Sequence, residues 1–172
     1  VKSGADIVEL GVPFSDPLGD GPTIQASGHT ALRNGETPKR CIEAVNEIRS
    51  AGIDVPIVLM GYYNNILSMG LGNYCLALKK AGANGVIVAD LPASEAGPLQ
   101  DATGKVGIAL IPLLALTSTD ESIEQACKRA SGFVYCISDL GVTGARATVS
   151  VRVKGLARRV SNFTDLPIAI GF

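Results

Sequence analysis

An α/β fold of parallel strands covered by helices is predicted from this sequence by three observations. Short apolar runs rich in Val and Ile alternate with amphipathic segments. The runs are continuous rather than alternating in polarity, which is how strands buried on both faces of a parallel sheet read. In addition, KSGADIVELGVP (2–13) is echoed by KKAGANGVIVADLP (79–92), each passing from a helix end through Gly-Ala to a strand, an acid and a proline. A repeated strand–helix unit suits a (β/α)8 barrel better than a dinucleotide-binding sheet, and no GxGxxG follows the first strand.

Strands are expected in the runs 5–12, 55–61, 84–91, 106–114, 132–138 and 165–172. Helices are expected over 38–51, 73–81, 94–103, 120–130 and 149–160. Thr37 ahead of Pro38 reads as a cap followed by proline at the first helical position. Thr119 and Asp120 make a second, acid-rich start. Gly52, Gly82 and Gly132 stand where helices stop. NNILSMG (64–70), after MGYY (60–63), reads as a strand-to-helix loop. A closed barrel has eight strands, and about six are counted, so either the barrel is incomplete in this chain or the sheet is open.

Composition bounds the function. The 172 residues suit a single domain over 1–172, and 47% hydrophobic against 18% charged residues supports a sizeable core. A net charge of −1 provides no basic field for nucleic acid or an anionic membrane. No apolar run approaches the ~20 residues of a membrane span. The chain starts on Val1, not Met, and shows no signal peptide, so it reads as part of a longer chain. Cys41, Cys75, Cys127 and Cys136 have no CxxC spacing and sit in apolar patterns, which predicts core thiols in a reducing compartment. His29 is the only histidine, so a multi-histidine metal site is excluded; it reads as an exposed helix position.

The chemistry concentrates in ELGVPFSDPLGDGP (9–22), with three acids, three prolines and three glycines. Glu9 falls near the end of the first strand. Pointing into a barrel mouth, it would be desolvated into a usable acid/base; the alternative is a structural carboxylate paired with an amide or hydroxyl. Asp16 before Pro17 reads as an Asx-turn residue. Asp20 before Gly21-Pro22 reads as a turn former, or as a second carboxylate beside a glycine that allows close approach to a ligand. GVTGARA (141–147) offers backbone N–H groups to a phosphate. The basic helix 151–159 reads as a solvated face. Tyr62, Tyr63 and Asn64 line a pocket or partner surface, or are core and turn.

ELGVPFSDPLGDGPTIQ (9–25), with MGYYN (60–64), VADLP (88–92) and SDLGVTGAR (138–146) in the same order, strongly resembles the tryptophan synthase alpha-subunit family. The resemblance implies a TIM barrel that cleaves indole-3-glycerol phosphate to indole and glyceraldehyde 3-phosphate in a retro-aldol reaction. It implies no metal and no organic cofactor in this subunit. Pyridoxal phosphate belongs to the beta subunit, with which the family forms an alpha2-beta2 complex in tryptophan biosynthesis. By resemblance Glu9 and Asp20 are catalytic. Ile24, Met60, Tyr62, Ile87 and Leu113 face the indole, with core packing as the competing role. Tyr135 is an active-site tyrosine, Gly144 meets the substrate phosphate, and Phe172 is the aromatic on the phosphate side. Pro13, Asp16, Pro17, Asn64 and Pro92 are partner contacts. The cytoplasm is the expected compartment, or a plastid if a transit segment precedes Val1.

Departures from the family are visible too. The family begins with a helix and a strand that this chain lacks, and ends with a strand and glycine-serine phosphate contacts beyond Phe172. Unpaired sheet edges then predict a partial sequence, or completion by a second copy. Asp139 stands where many relatives carry a non-acidic residue, and a carboxylate there repels phosphate unless turned away. Rival readings are a stand-alone lyase releasing free indole and a non-catalytic barrel that only activates a beta subunit. A Schiff-base aldolase lacks support, because Lys79 and Lys80 sit at a helix end.

Overall fold

The computed structural model describes residues 3–137 and 151–171. All strand pairings among them are parallel. β1 (Val8–Gly11), β2 (Ile57–Gly61), β3 (Gly85–Val88) and β4 (Ala109–Ile111) form one sheet in chain order. β5 (Leu113–Leu114), β6 (Val134–Ile137) and β7 (Ile168–Gly171) form a second. The run 106–114, expected as one strand, is split by Pro112. Proline has no N–H to give a ladder, but its carbonyl accepts from Tyr135 N–H at 3.0 Å. The chain therefore pairs with β3 before Pro112 and with β6 after it, turning the wall at that point. The result is an incomplete (β/α)8 barrel with six strand positions in sequence order among the described residues.

The helices are α1 (Pro22–Arg33), α2 (Pro38–Ser50), α3 (Tyr63–Met69), α4 (Leu71–Ala81), α5 (Gly97–Val106), α6 (Asp120–Arg129) and α7 (Val151–Val160). A 3₁₀ turn, Ala93–Glu95, precedes α5. Thr37 caps α2 by accepting from Arg40 N–H, and Thr119 caps α6 by accepting from Ser122 N–H, both at 3.2 Å. Gly82 ends α4 in the left-handed conformation, φ 87°, which costs a glycine no Cβ clash. Two helices escape the apolar-period reading. α1 buries no residue, so it has no apolar stripe; Pro22 at its first position and exposed His29 are its marks. α3 replaces the expected loop because the Asp90 carboxylate, distant in sequence, accepts Tyr63 N–H at 2.7 Å and caps it.

Register sorts the strand residues into two layers. Leu59, Val86 and Leu110 align across the sheet and pack outward with Val45 of α2, Leu78 of α4 and Leu99 of α5. Leu114, Val134 and Cys136 pack outward on α6 and α7. Val58, Ile87, Ile111 and Phe133 fill the inside, with Met60, Leu113 and Tyr135 against them. Each fully buried aliphatic side chain here contributes about 1.5–3 kcal/mol. All four cysteines are free and buried, as core thiols should be.

Candidate active site

Glu9 aligns with Val58, and Gly11, two residues on, aligns with Met60. Val58 and Met60 belong to the inner cluster, so Glu9 and Gly11 share the inner face. Glu9 is open to solvent on one side, yet the neighbouring strands crowd it enough that desolvation raises its pKa. Tyr135 projects from β6 toward the same interior. Burial raises its pKa, and the charge on Glu9 raises it further, which places the two groups within electrostatic reach.

The loop after β1 is held at several points. Val12 N–H donates to Met60 carbonyl at 2.7 Å, and Asn65 Nδ2 donates to Pro13 carbonyl at 3.2 Å. Phe14 stacks on Tyr62 with centroids 5.2 Å apart and planes inclined by 28°. Leu18 N–H donates to Asp16 carbonyl at 2.9 Å and Asp20 N–H to Pro17 carbonyl at 3.1 Å, so SDPLGD is a tight turn. The Asp16 side chain accepts from the Ser15 hydroxyl, not from a backbone amide two residues on, so the Asx-turn expectation gives way to a turn closed by its main chain. Gln25 Nε2 donates to the Asp20 carbonyl at 2.9 Å and anchors the turn to α1.

Asp20 is half-buried. Desolvation raises its pKa, and a hydrogen bond with Tyr62 opposes that rise. Its carboxylate borders a cavity of about 160 Å³ lined by Gly11, Ile24, Met60, Tyr62 and Ala89, with Pro13 and Pro17 at the loop side. That is the size of a cavity that takes up one benzene ring. A larger cavity of about 410 Å³ lies between the Ala93–Glu95 turn, β4, β5 and α6. Asp20 lines the smaller cavity and not this one, so the smaller one is the candidate site.

Asp20, Ile24, Met60, Tyr62, Pro13 and Pro17 thus converge, and Glu9 lies one inward position below Gly11 on the same wall. Ile87 is 0% exposed inside the barrel, and Leu113 and Pro92 border the larger cavity. Tyr62, at 4% exposure, supports the loop from beneath. Asp16, Asn64 and Pro92 are exposed. Gly144, Phe172 and Asp139 lie outside the described residues. Phe14, Asn65 and Gly171 were not anticipated; an aromatic inside a proline-rich loop and the second asparagine of a pair were the only local signals. No group of three metal-ligating side chains occurs among the described residues.

Gly171 matters because the Tyr135 ring lies over it, where a Cβ would overlap the phenol. Gly171→Ala is expected to displace Tyr135 from Glu9 and cost about 1–3 kcal/mol through overpacking. Urea denaturation checks this: in a Tyr135→Ala background, where no ring lies over residue 171, Gly171→Ala should cost much less.

The whole chain, residues 1–172, matches the family model of the tryptophan synthase alpha chain. The alpha chain of Methanosarcina acetivorans is 47% identical over 172 residues, covering 100% of this chain and 61% of that protein. The alpha chain of Geobacillus kaustophilus is 43% identical over 171 residues, 99% of this chain and 63% of that protein. The chain therefore spans roughly 61–63% of these relatives' length. Among solved structures, a chain of the Pyrococcus furiosus tryptophan synthase a2b2 complex superposes with a TM-score of 0.90 at 37% identity, covering 99% of this chain and 68% of that one. With the family model matched over its whole length and a fold superposing this well, the chain belongs to the tryptophan synthase alpha chain family.

Proposed function

We propose that this chain is the carbon–carbon lyase component of a tryptophan synthase and cleaves indole-3-glycerol phosphate into indole and glyceraldehyde 3-phosphate. The observation that carries this reading is the placement of Glu9 and Asp20. Asp20 borders a cavity of ring size, and Glu9, likewise desolvated, lies on the inner face of β1 one inward position below the Gly11 that lines that cavity. Asp20 accepts the indole N–H and stabilises the positive charge that develops on nitrogen. Protonated Glu9 delivers its proton to indole C3, giving the indolenine, and the resulting carboxylate takes the proton of the C3′ hydroxyl. As the C3–C3′ bond breaks, that oxygen becomes the aldehyde and the bonding pair returns to the ring. Glu9 ends protonated, as it began.

In this reading the chain needs no organic cofactor, and pyridoxal phosphate belongs to the beta subunit. The exposed loop tip, with Leu18 at 94% exposure, together with Asp16, Asn64 and Pro92, supplies the contacts to that partner. Buried free thiols suit the cytoplasm, and no helix among the described residues is long and apolar enough to cross a membrane.

The test is formation of indole and glyceraldehyde 3-phosphate from indole-3-glycerol phosphate, with and without a beta subunit. Equal amounts of both products, lost in Asp20→Asn, are expected. Stimulation of the beta subunit with no cleavage would replace the lyase by a non-catalytic activator.

A further inference from the structure

Tyr62 lies under the loop that carries Asp20, at the mouth end of β2, and its hydroxyl has one proton and two lone pairs to satisfy. Gly19 N–H donates to that oxygen at 3.0 Å. The phenol proton is then free to point elsewhere, and Asp20, next to Gly19 in the chain, lines the same cavity as Tyr62. Phe14, stacked at 5.2 Å, fixes the plane of the ring. The approach of loop to phenol is close: a Cβ on Gly19 would sit 3.3 Å from the Tyr62 oxygen.

We propose that Tyr62 is a positioning residue: held by Phe14 and by Gly19 N–H, it gives its hydroxyl proton to the Asp20 carboxylate and fixes that carboxylate to accept the substrate N–H. This inference rests on the role given to Asp20 above. The two functions differ in kind, because Tyr62 acts through Asp20 and need not touch the reacting atoms.

The charged surroundings agree. Burial pushes the Tyr62 phenol up to about 12, against the Gly19 N–H, and the charges of Asp20 and Asp90 add to the rise. The phenol therefore remains a donor throughout the range in which Asp20 titrates. Asp20 itself is raised by desolvation and drawn back by Tyr62. Asp90, after β3, spends its carboxylate on Tyr63 N–H. From α1, neutral Gln25 binds the Asp20 carbonyl, not its carboxylate. Asp20 and Tyr62 are the titratable groups that line the cavity among the described residues. Removing the phenol oxygen leaves Asp20 with desolvation alone, so its protonation moves to higher pH.

The experiment is a ¹³C-carboxyl NMR titration of Asp20 in the wild type and in Tyr62→Phe, with kcat for indole release followed from pH 5 to pH 9 on the same proteins. Tyr62→Phe should raise the Asp20 midpoint. It should lower kcat about tenfold at pH 6, with the loss shrinking as pH rises and KM changing less than kcat. Gly19→Ala keeps the phenol and only pushes the exposed loop off it; a smaller rise of the Asp20 midpoint is expected, which covers the case of a poorly folded Tyr62→Phe. An unchanged Asp20 midpoint in either folded variant, or a loss of kcat equal at every pH, would overturn the proposal. The NMR titration needs no turnover, so a wild type that releases no indole counts against the lyase reading and leaves the link between Tyr62 and Asp20 to be judged by the midpoints.

Discussion

Replacing Glu9 by glutamine is expected to remove indole release, by about 10²–10⁴-fold in kcat, without weakening the fold. Glutamine keeps the size and the hydrogen-bonding ends of the side chain but neither delivers nor takes a proton. The effect on stability has a definite sign. Desolvation holds Glu9 above its ordinary value of 4.5, so ionising it costs more in the folded chain than in the unfolded one. A group of this kind favours the folded state while it is protonated in both states. That advantage fades as the pH rises from the unfolded toward the folded pKa, and above both Glu9 works against folding. Glu9→Gln should therefore unfold at the same temperature as the wild type or higher at pH 8, with the gap narrowing toward pH 5. Thermal unfolding at the two pH values, beside a single-turnover assay of indole, checks both halves. A variant less stable at pH 8 would return Glu9 to the structural role weighed at the outset.

Arg49→Ala is expected to do the opposite, costing stability and sparing chemistry. Arg49 leaves the last turn of α2, and its guanidinium binds four acceptors. Nε donates to Gly82 carbonyl at 2.9 Å, Nη1 to the Val55 carbonyl at 2.8 Å and to Ile53 carbonyl, and Nη2 to Asn84 Oδ1 at 2.7 Å. Asn84 Oδ1 accepts Ile57 N–H at 2.9 Å in turn. One planar side chain thus joins the end of α4 to the entries of β2 and β3. Hydrogen bonds to a charged group contribute about 1.5–3 kcal/mol each, and part of that is recovered from water once the acceptors are exposed. A net loss of about 2–4 kcal/mol follows, read from the urea midpoint. Arg49→Lys should recover less than half, since a single ammonium cannot span acceptors arranged around a fork. These contacts lie at the strand entries, away from Asp20, so kcat should stay within twofold of the wild type, an estimate of about 0.4 kcal/mol in barrier.

Much of the architecture is legible in the residue order because it rests on local chemistry. Continuous Val/Ile runs place strands between two apolar layers, and threonine followed by proline or acid starts α2 and α6 as read. Where local chemistry was silent, the reading fell short. α3 takes its cap from Asp90, a residue 27 positions away. The split of 106–114 at Pro112 depends on which neighbour each half meets. The acids of the first loop stood out by type and spacing, but their separate tasks did not.

The family and the parallel α/β class are written in residue types and short spacings, which also mark Glu9 and Asp20 as candidates for the chemistry. The fold adds what those spacings do not carry: Glu9 faces inward beside Tyr135, Gly171 makes room for that ring, and Tyr62 accepts Gly19 N–H beneath the loop that carries Asp20. Those are relations between residues tens of positions apart. Burial and hydrogen bonding across strands set them, and a linear pattern carries no record of which side chains will share the same few ångströms.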